Sequence, residues 1–162
     1  NHNRIVILAS DESQKALDEK IVRIYHAFKS LKLAIRMASS LLFSSLNDFK
    51  KAYEECELVF MLNDQTQSLM SFEDVEEKTL LYQIESEIRE RYKHRILSDL
   101  DSQSIETLKS FFKNDLNIAK TAKYLYIHRN TLLYRLEKCK MRTGLNPKKY
   151  SDAIKLQIAL WC

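Results

Sequence analysis

Asn117–Thr143, NIAKTAKYLYIHRNTLLYRLEKCKMRT, reads as two helices joined by a tight turn. Ile118, Ala122 and Leu125 recur at helical spacing and define a short first helix over 118–125. Tyr126 and Ile127 make the connection, and a longer second helix runs from His128 to about Thr143. Its inner side carries Leu132, Leu136 and Cys139. Arg129, Asn130, Leu133, Tyr134, Glu137 and Lys138 are left on the opposite side, where residues three and four apart share a face. An N-terminal end that shows Arg, Asn and Tyr suits the DNA major groove. Arg makes a bidentate contact to guanine and Asn one to adenine. Arg129, Asn130 and Tyr134 are therefore the base-contact candidates. A helix-turn-helix also serves as a plain packing unit, so the shape alone does not decide the matter.

Charge adds to the case. Residues 105–162 hold 12 Lys and Arg against 4 Asp and Glu, a net of +8, whereas residues 1–104 carry a net of −4. The whole-chain +4 thus hides a basic C-terminal module beside an acidic N-terminal one, and a basic half implies a polyanionic partner. Lys120 and Lys123 lie on the first helix, where that helix crosses the DNA backbone. Arg135, Lys138, Lys140 and Arg142 run along the second, and Lys148 and Lys149 follow in the next loop. Such cations would position the module on phosphate without reading sequence.

These residues resemble a known family. IHRNTLLYRLEK (127–138), preceded by ETLKSFFKND (106–115) and AKTAKYL (119–125) and followed by TGLNP (143–147), is similar to the C-terminal helix-turn-helix of PucR/CdaR-type bacterial transcription regulators. The run from His128 to Leu136 stands closest to the family's signature, and the likeness extends over 98–162. The resemblance implies that the helix opening at His128 enters the major groove. Arg129, Asn130 and Tyr134 would face bases, with His128, Thr131 and Arg135 nearer phosphate. Fis-like DNA-binding domains share the pattern more distantly. Three departures stand out. The family usually has two glycines where this chain has Asn114, Asp115 and Leu116, and Asn117 can cap the following helix without them. Leu133 replaces a position that is often Arg or polar. Pro147, Lys148 and Lys149 stand in place of an acidic run.

One glycine and one proline in 162 residues imply long helices and few sharp turns. Upstream, RIVILA (4–9) reads as a strand and 12–31 as a helix capped by Ser10 or Asp11, with Leu17, Ile21, Ile24, Phe28 and Leu31 inward. Residues 33–38 alternate as a strand, and a helix opening at Ser45 or Asn47 puts Phe49, Tyr53, Cys56 and Phe60 inward. A short strand is expected at 69–72. One long helix then spans 75–97, with Leu80, Ile84 and Ile88 along a stripe, and the polar stretch 98–104 is the expected boundary. An amphipathic helix from Ser151 offers Ile154, Leu156, Ile158 and Leu160 for packing. Residues 46–62 resemble a helix of the degenerate GGDEF-like region that often precedes this DNA-binding domain. Cyclase activity needs a Gly-Gly-acid-Glu-Phe hairpin, and the single glycine is Gly144.

No glycine fingerprint for phosphate, no G-x-S-x-G elbow and no metal-ligand spacing is present. The three cysteines lack C-x-x-C spacing, and no run of eighteen apolar residues exists. The acidic pairs Glu54-Glu55, Glu73-Asp74 and Glu76-Glu77 read as solvated helix surface. The sequence thus indicates an α+β, mostly helical, cytoplasmic protein: a small mixed α/β regulatory region over 1–97 and an all-α helix-turn-helix domain over 98–162. It would be a sequence-specific regulator of transcription on double-stranded DNA, homodimeric, with no enzyme activity, no cofactor and no membrane partner. A small-molecule effector could act through a further upstream domain, since the chain opens without methionine. The alternatives are a metabolite-sensing signalling module and a non-specific architectural DNA binder.

Overall fold

The computed structural model describes residues 5–10, 13–62 and 67–162. Among the described residues, eight α-helices and a two-stranded sheet fall into two compact units, 1–80 and 81–162.

The first unit is a small α/β element. Helix α1 (Gln14–Ser30) is capped by Ser13, whose hydroxyl accepts the Ala16 N–H. This replaces the expected caps: Ser10 lies three residues too early, and Asp11 falls outside the described residues. Strand β1 (Met37–Ser39) pairs in parallel with β2 (Leu69–Ser71), Met37 opposite Leu69, and helix α2 (Phe49–Leu62) lies between them in sequence. Parallel strands need such a crossover. Val59, Met70, Phe72 and Val75 form the core, with Ala38, Leu41 and Phe60 against it.

Three expectations fail here. Residues 5–10 form no strand; Ile5 is 80% exposed and Leu8 61%, so no apolar face is buried there that would favour pairing. Residues 33–36 are likewise not part of β1. On α2 the buried stripe is Ala52, Glu55 and Val59, while Phe49 and Tyr53 stay exposed. The small Ala52 permits close approach, and the Glu55 carboxylate accepts the Leu41 N–H at 3.0 Å, which makes burial of that charge tolerable.

The second unit begins earlier than the boundary at 97/98. The long helix expected over 75–97 breaks into α3 (Glu76–Tyr82) and α4 (Ser86–Leu97). Neither glycine nor proline causes this. The stripe Leu80, Ile84 and Ile88 remains exposed, so burial gives continuous helix no advantage there. The Arg89 side chain instead donates to the Ile84 carbonyl at 3.2 Å. Helix α4 packs on α8 (Tyr150–Trp161) and buries Ile96 and Leu97, which ties it to the C-terminal helices.

Helix α5 (Ser102–Lys113) lies under α6 (Ile118–Tyr124) and α7 (Arg129–Thr143). One core joins them: Leu108 and Phe111 from α5, Ala122 from α6, Leu132, Leu136 and Cys139 from α7, Leu156 and Ala159 from α8. On α8 the buried residues are Ala153, Leu156 and Ala159; Ile154 is 40% exposed. Alanine at two of the three positions lets α8 approach closely, so the larger apolar residues fall to the flanks. Thr107 and Thr121, fully buried, each donate to the carbonyl four residues back at 2.7 Å. Their hydroxyls are thereby satisfied.

Candidate nucleic-acid interface

Asn117 caps α6 as expected, its Oδ1 accepting the Lys120 N–H at 3.0 Å. The turn to α7 is a Schellman closure: Tyr126 N–H reaches the Lys123 carbonyl and Ile127 N–H the Ala122 carbonyl. Tyr126 takes a left-handed backbone, φ 53°, with its side chain 96% exposed. His128 then caps α7, Nδ1 accepting the Asn130 N–H at 3.2 Å. An accepting Nδ1 requires the proton on Nε2, so an exposed N–H donor stands at the helix start. Gly144 ends α7 in the left-handed conformation, φ 72°, and donates to the Lys140 carbonyl at 2.8 Å.

Leu132, Leu136 and Cys139 are the buried residues of α7, as their spacing indicates. With about 100° between successive residues, the outward line is Asn130, Tyr134, Glu137 and Met141. Tyr134 is 68% exposed and Met141 70%. Arg129 is exposed on one flank of that line, beside the half-buried Leu133. Thr131, Arg135, Lys138 and Arg142 occupy the other flank. Arg129, Asn130 and Tyr134 thus lie together in the first two turns. Lys138, expected on the same side as Arg129, is on the opposite flank, because nine residues amount to two and a half turns. Lys120 and Lys123 are exposed on α6, and Lys148 and Lys149 are exposed just before α8. Lys140 pairs with Glu137 at 2.9 Å.

Asp101 is the residue that sequence reading passed over. It caps α5, Oδ1 accepting the Ser104 N–H at 2.8 Å. Its Oδ2 receives Lys138 Nζ at 2.7 Å and Arg142 Nη1 at 3.2 Å. Arg142 also donates to the Asp99 carbonyl at 3.0 Å. The Lys138 ammonium, together with the Ser104 bonds, holds the Asp101 carboxyl well below the usual carboxylate range. Only the capping half of this role is written locally, in an Asp ahead of a helix. The partners lie 37 and 41 residues away.

A model of the PucR C-terminal helix-turn-helix domain matches residues 104–162. This part of the chain is a PucR-type domain. The purine catabolism regulatory protein of Bacillus subtilis is 40% identical over 60 residues, 37% of this chain and 11% of that protein. The carbohydrate diacid regulator of Escherichia coli is 36% identical over 66 residues, 40% of this chain and 17% of that one. The uncharacterized protein YsfB of Bacillus subtilis is 32% identical over 120 residues, 73% of this chain and 32% of the relative. The chain therefore spans a third or less of the length of these relatives.

Two residues other than glycine close α5 in a conformation that glycine adopts freely. Asp115 and Leu116 both have left-handed backbone, φ 55° and 59°, where α5 ends. Their N–H groups close another Schellman turn onto the Phe112 and Phe111 carbonyls. Glycine is free of strain there, and Asp tolerates the conformation better than Leu. Leu116 offsets its strain by packing against the core. Asp115→Gly should therefore raise stability by about 0.5–1 kcal/mol, read as a higher urea midpoint at unchanged slope.

Among the described residues no group of three or more His, Cys, Asp or Glu is arranged to hold a metal, and no helix is long and apolar enough to cross a membrane.

Proposed function

We propose that the PucR-type domain binds duplex DNA and that the chain is part of a sequence-reading regulator of transcription. The observation that carries this is the joint exposure of Arg129, Asn130 and Tyr134 on the first two turns of α7, directly behind the exposed lysines of α6. Helix α7 enters the major groove by its N-terminal end, and these three side chains meet base edges. Lys120, Lys123, His128, Thr131, Arg135, Lys148 and Lys149 serve the phosphates. The names of two relatives, a purine catabolism regulatory protein and a carbohydrate diacid regulator, support the regulatory reading. One helix-turn-helix offers few base contacts, so a homodimer on two half-sites is the working assembly. The α/β unit, with its strand–helix–strand order, is the GGDEF-like regulatory region in this proposal, and control by a small effector belongs to it.

Selection of bound sequences from a random duplex library, at near-physiological salt and with Arg129→Ala in parallel, tests the proposal. A two-half-site motif that blurs at one base in the variant is the expected result. Binding without enrichment that vanishes as salt rises would mean electrostatic attraction alone. Lys120→Ala should weaken binding to all sequences alike and flatten the slope of log affinity against log salt by about one unit. Equal slopes would take Lys120 out of the phosphate set.

A further inference from the structure

Asp101 places a carboxylate against two cations of the helix proposed to read DNA. Lys138 and Arg142 share its Oδ2, at 2.7 and 3.2 Å, and the Asp99 carbonyl takes a further Arg142 bond. Both cations lie on the α7 flank that also carries Thr131 and Arg135. A guanidinium and an ammonium on a helix flank are the donors that a DNA phosphate accepts. Here a protein carboxylate has taken that place. The site is not closed off: the Lys138, Arg142 and Asp101 side chains are 27%, 40% and 40% exposed.

We infer that Asp101 is a built-in phosphate competitor, which holds Lys138 and Arg142 back from DNA and so limits the sequence-independent part of duplex affinity. The inference rests on the DNA-binding reading above. Two consequences follow from the charges. The three groups together carry +1 instead of the +2 of the free cations, so fewer counterions are released when duplex approaches. Phosphate contacts carry no base information, so Asp101 changes how tightly and how salt-sensitively the protein binds, and leaves base preference alone.

Asp101→Asn in the full chain separates the two roles of the residue. Asn caps a helix about as well as Asp, so the Ser104 N–H keeps its acceptor and α5 its start. The charge is gone: Lys138 loses its carboxylate partner, and Arg142 keeps only the Asp99 carbonyl. On a random-sequence duplex titrated across salt, this variant should bind more tightly than the parent at low salt. Its slope of log affinity against log salt should steepen by between about one and two units, one for each cation that gains a phosphate. Lys138→Gln should leave the slope unchanged in the parent and lower it by about one unit in the Asp101→Asn background.

A parent that binds duplex while Asp101→Asn leaves its slope unchanged, or makes it shallower, overturns the inference and spares the DNA-binding reading. A drop in slope on Lys138→Gln in the parent does the same, and needs only a variant that keeps the α5 cap. A parent that binds no duplex at any salt overturns both.

Discussion

Leu132→Ala should cost about 2–5 kcal/mol and leave the helix-turn-helix barely folded. Leu132 is fully buried on the first turn of α7 and belongs to the core that unites α5, α6, α7 and α8. Truncation removes its transfer free energy and opens a cavity between helices that cannot all collapse onto it. A domain of this size holds roughly 5–15 kcal/mol of stability, so the loss is a large share. Helix α7 cannot survive alone, because isolated helices of about 15 residues are marginal in water. Urea denaturation followed by helical circular dichroism should show the midpoint fall sharply. Met141→Ala, on the exposed side of the same helix, should stay within about 0.5 kcal/mol of the parent. Equal losses in the two variants would contradict the packing described.

Asn130→Ala should leave the fold intact and cost about 1–3 kcal/mol of affinity on the selected site. Asn130 is exposed at the second position of α7, and the His128 cap takes its backbone N–H rather than its side chain. Removing the side-chain amide therefore breaks no cap. The amide can donate to and accept from adenine together, so its loss should relax one A·T position and leave the others sharp. Salt dependence should stay as in the parent, since no cation is removed. A loss spread evenly over all sequences, or accompanied by a lower melting temperature, would move Asn130 from base reading to support of the helix. The contrast with Lys120→Ala is the useful one, because there the salt slope changes and base preference does not.

Helices α6 and α7 were legible because local rules and tertiary packing agree there. Asn117 caps α6, Leu132, Leu136 and Cys139 face inward, and Gly144 closes α7, each as its residue type and spacing indicate. The exposed cluster of Arg129, Asn130 and Tyr134 follows from that periodicity without further information. Reading failed where an apolar pattern had no partner to bury it. RIVILA carries strand-forming residues, yet β1 and β2 pair with each other and residues 5–10 stay exposed. The α2 stripe shifted by a residue because Ala52 and Glu55 fit the sheet side better than two aromatic rings.

What the sequence determined by itself lies in α6 and α7 and acts within about four residues: the Asn117 cap, the inward face of Leu132, Leu136 and Cys139, and the tight connection at Tyr126 and Ile127. Tertiary structure alone decided the break between α3 and α4, the left-handed strain at Leu116 and the meeting of Asp101 with Lys138 and Arg142. The physical reason is range. Capping and periodicity act through neighbouring backbone groups, whereas an ion pair across 37 residues exists only once α5 and α7 have packed.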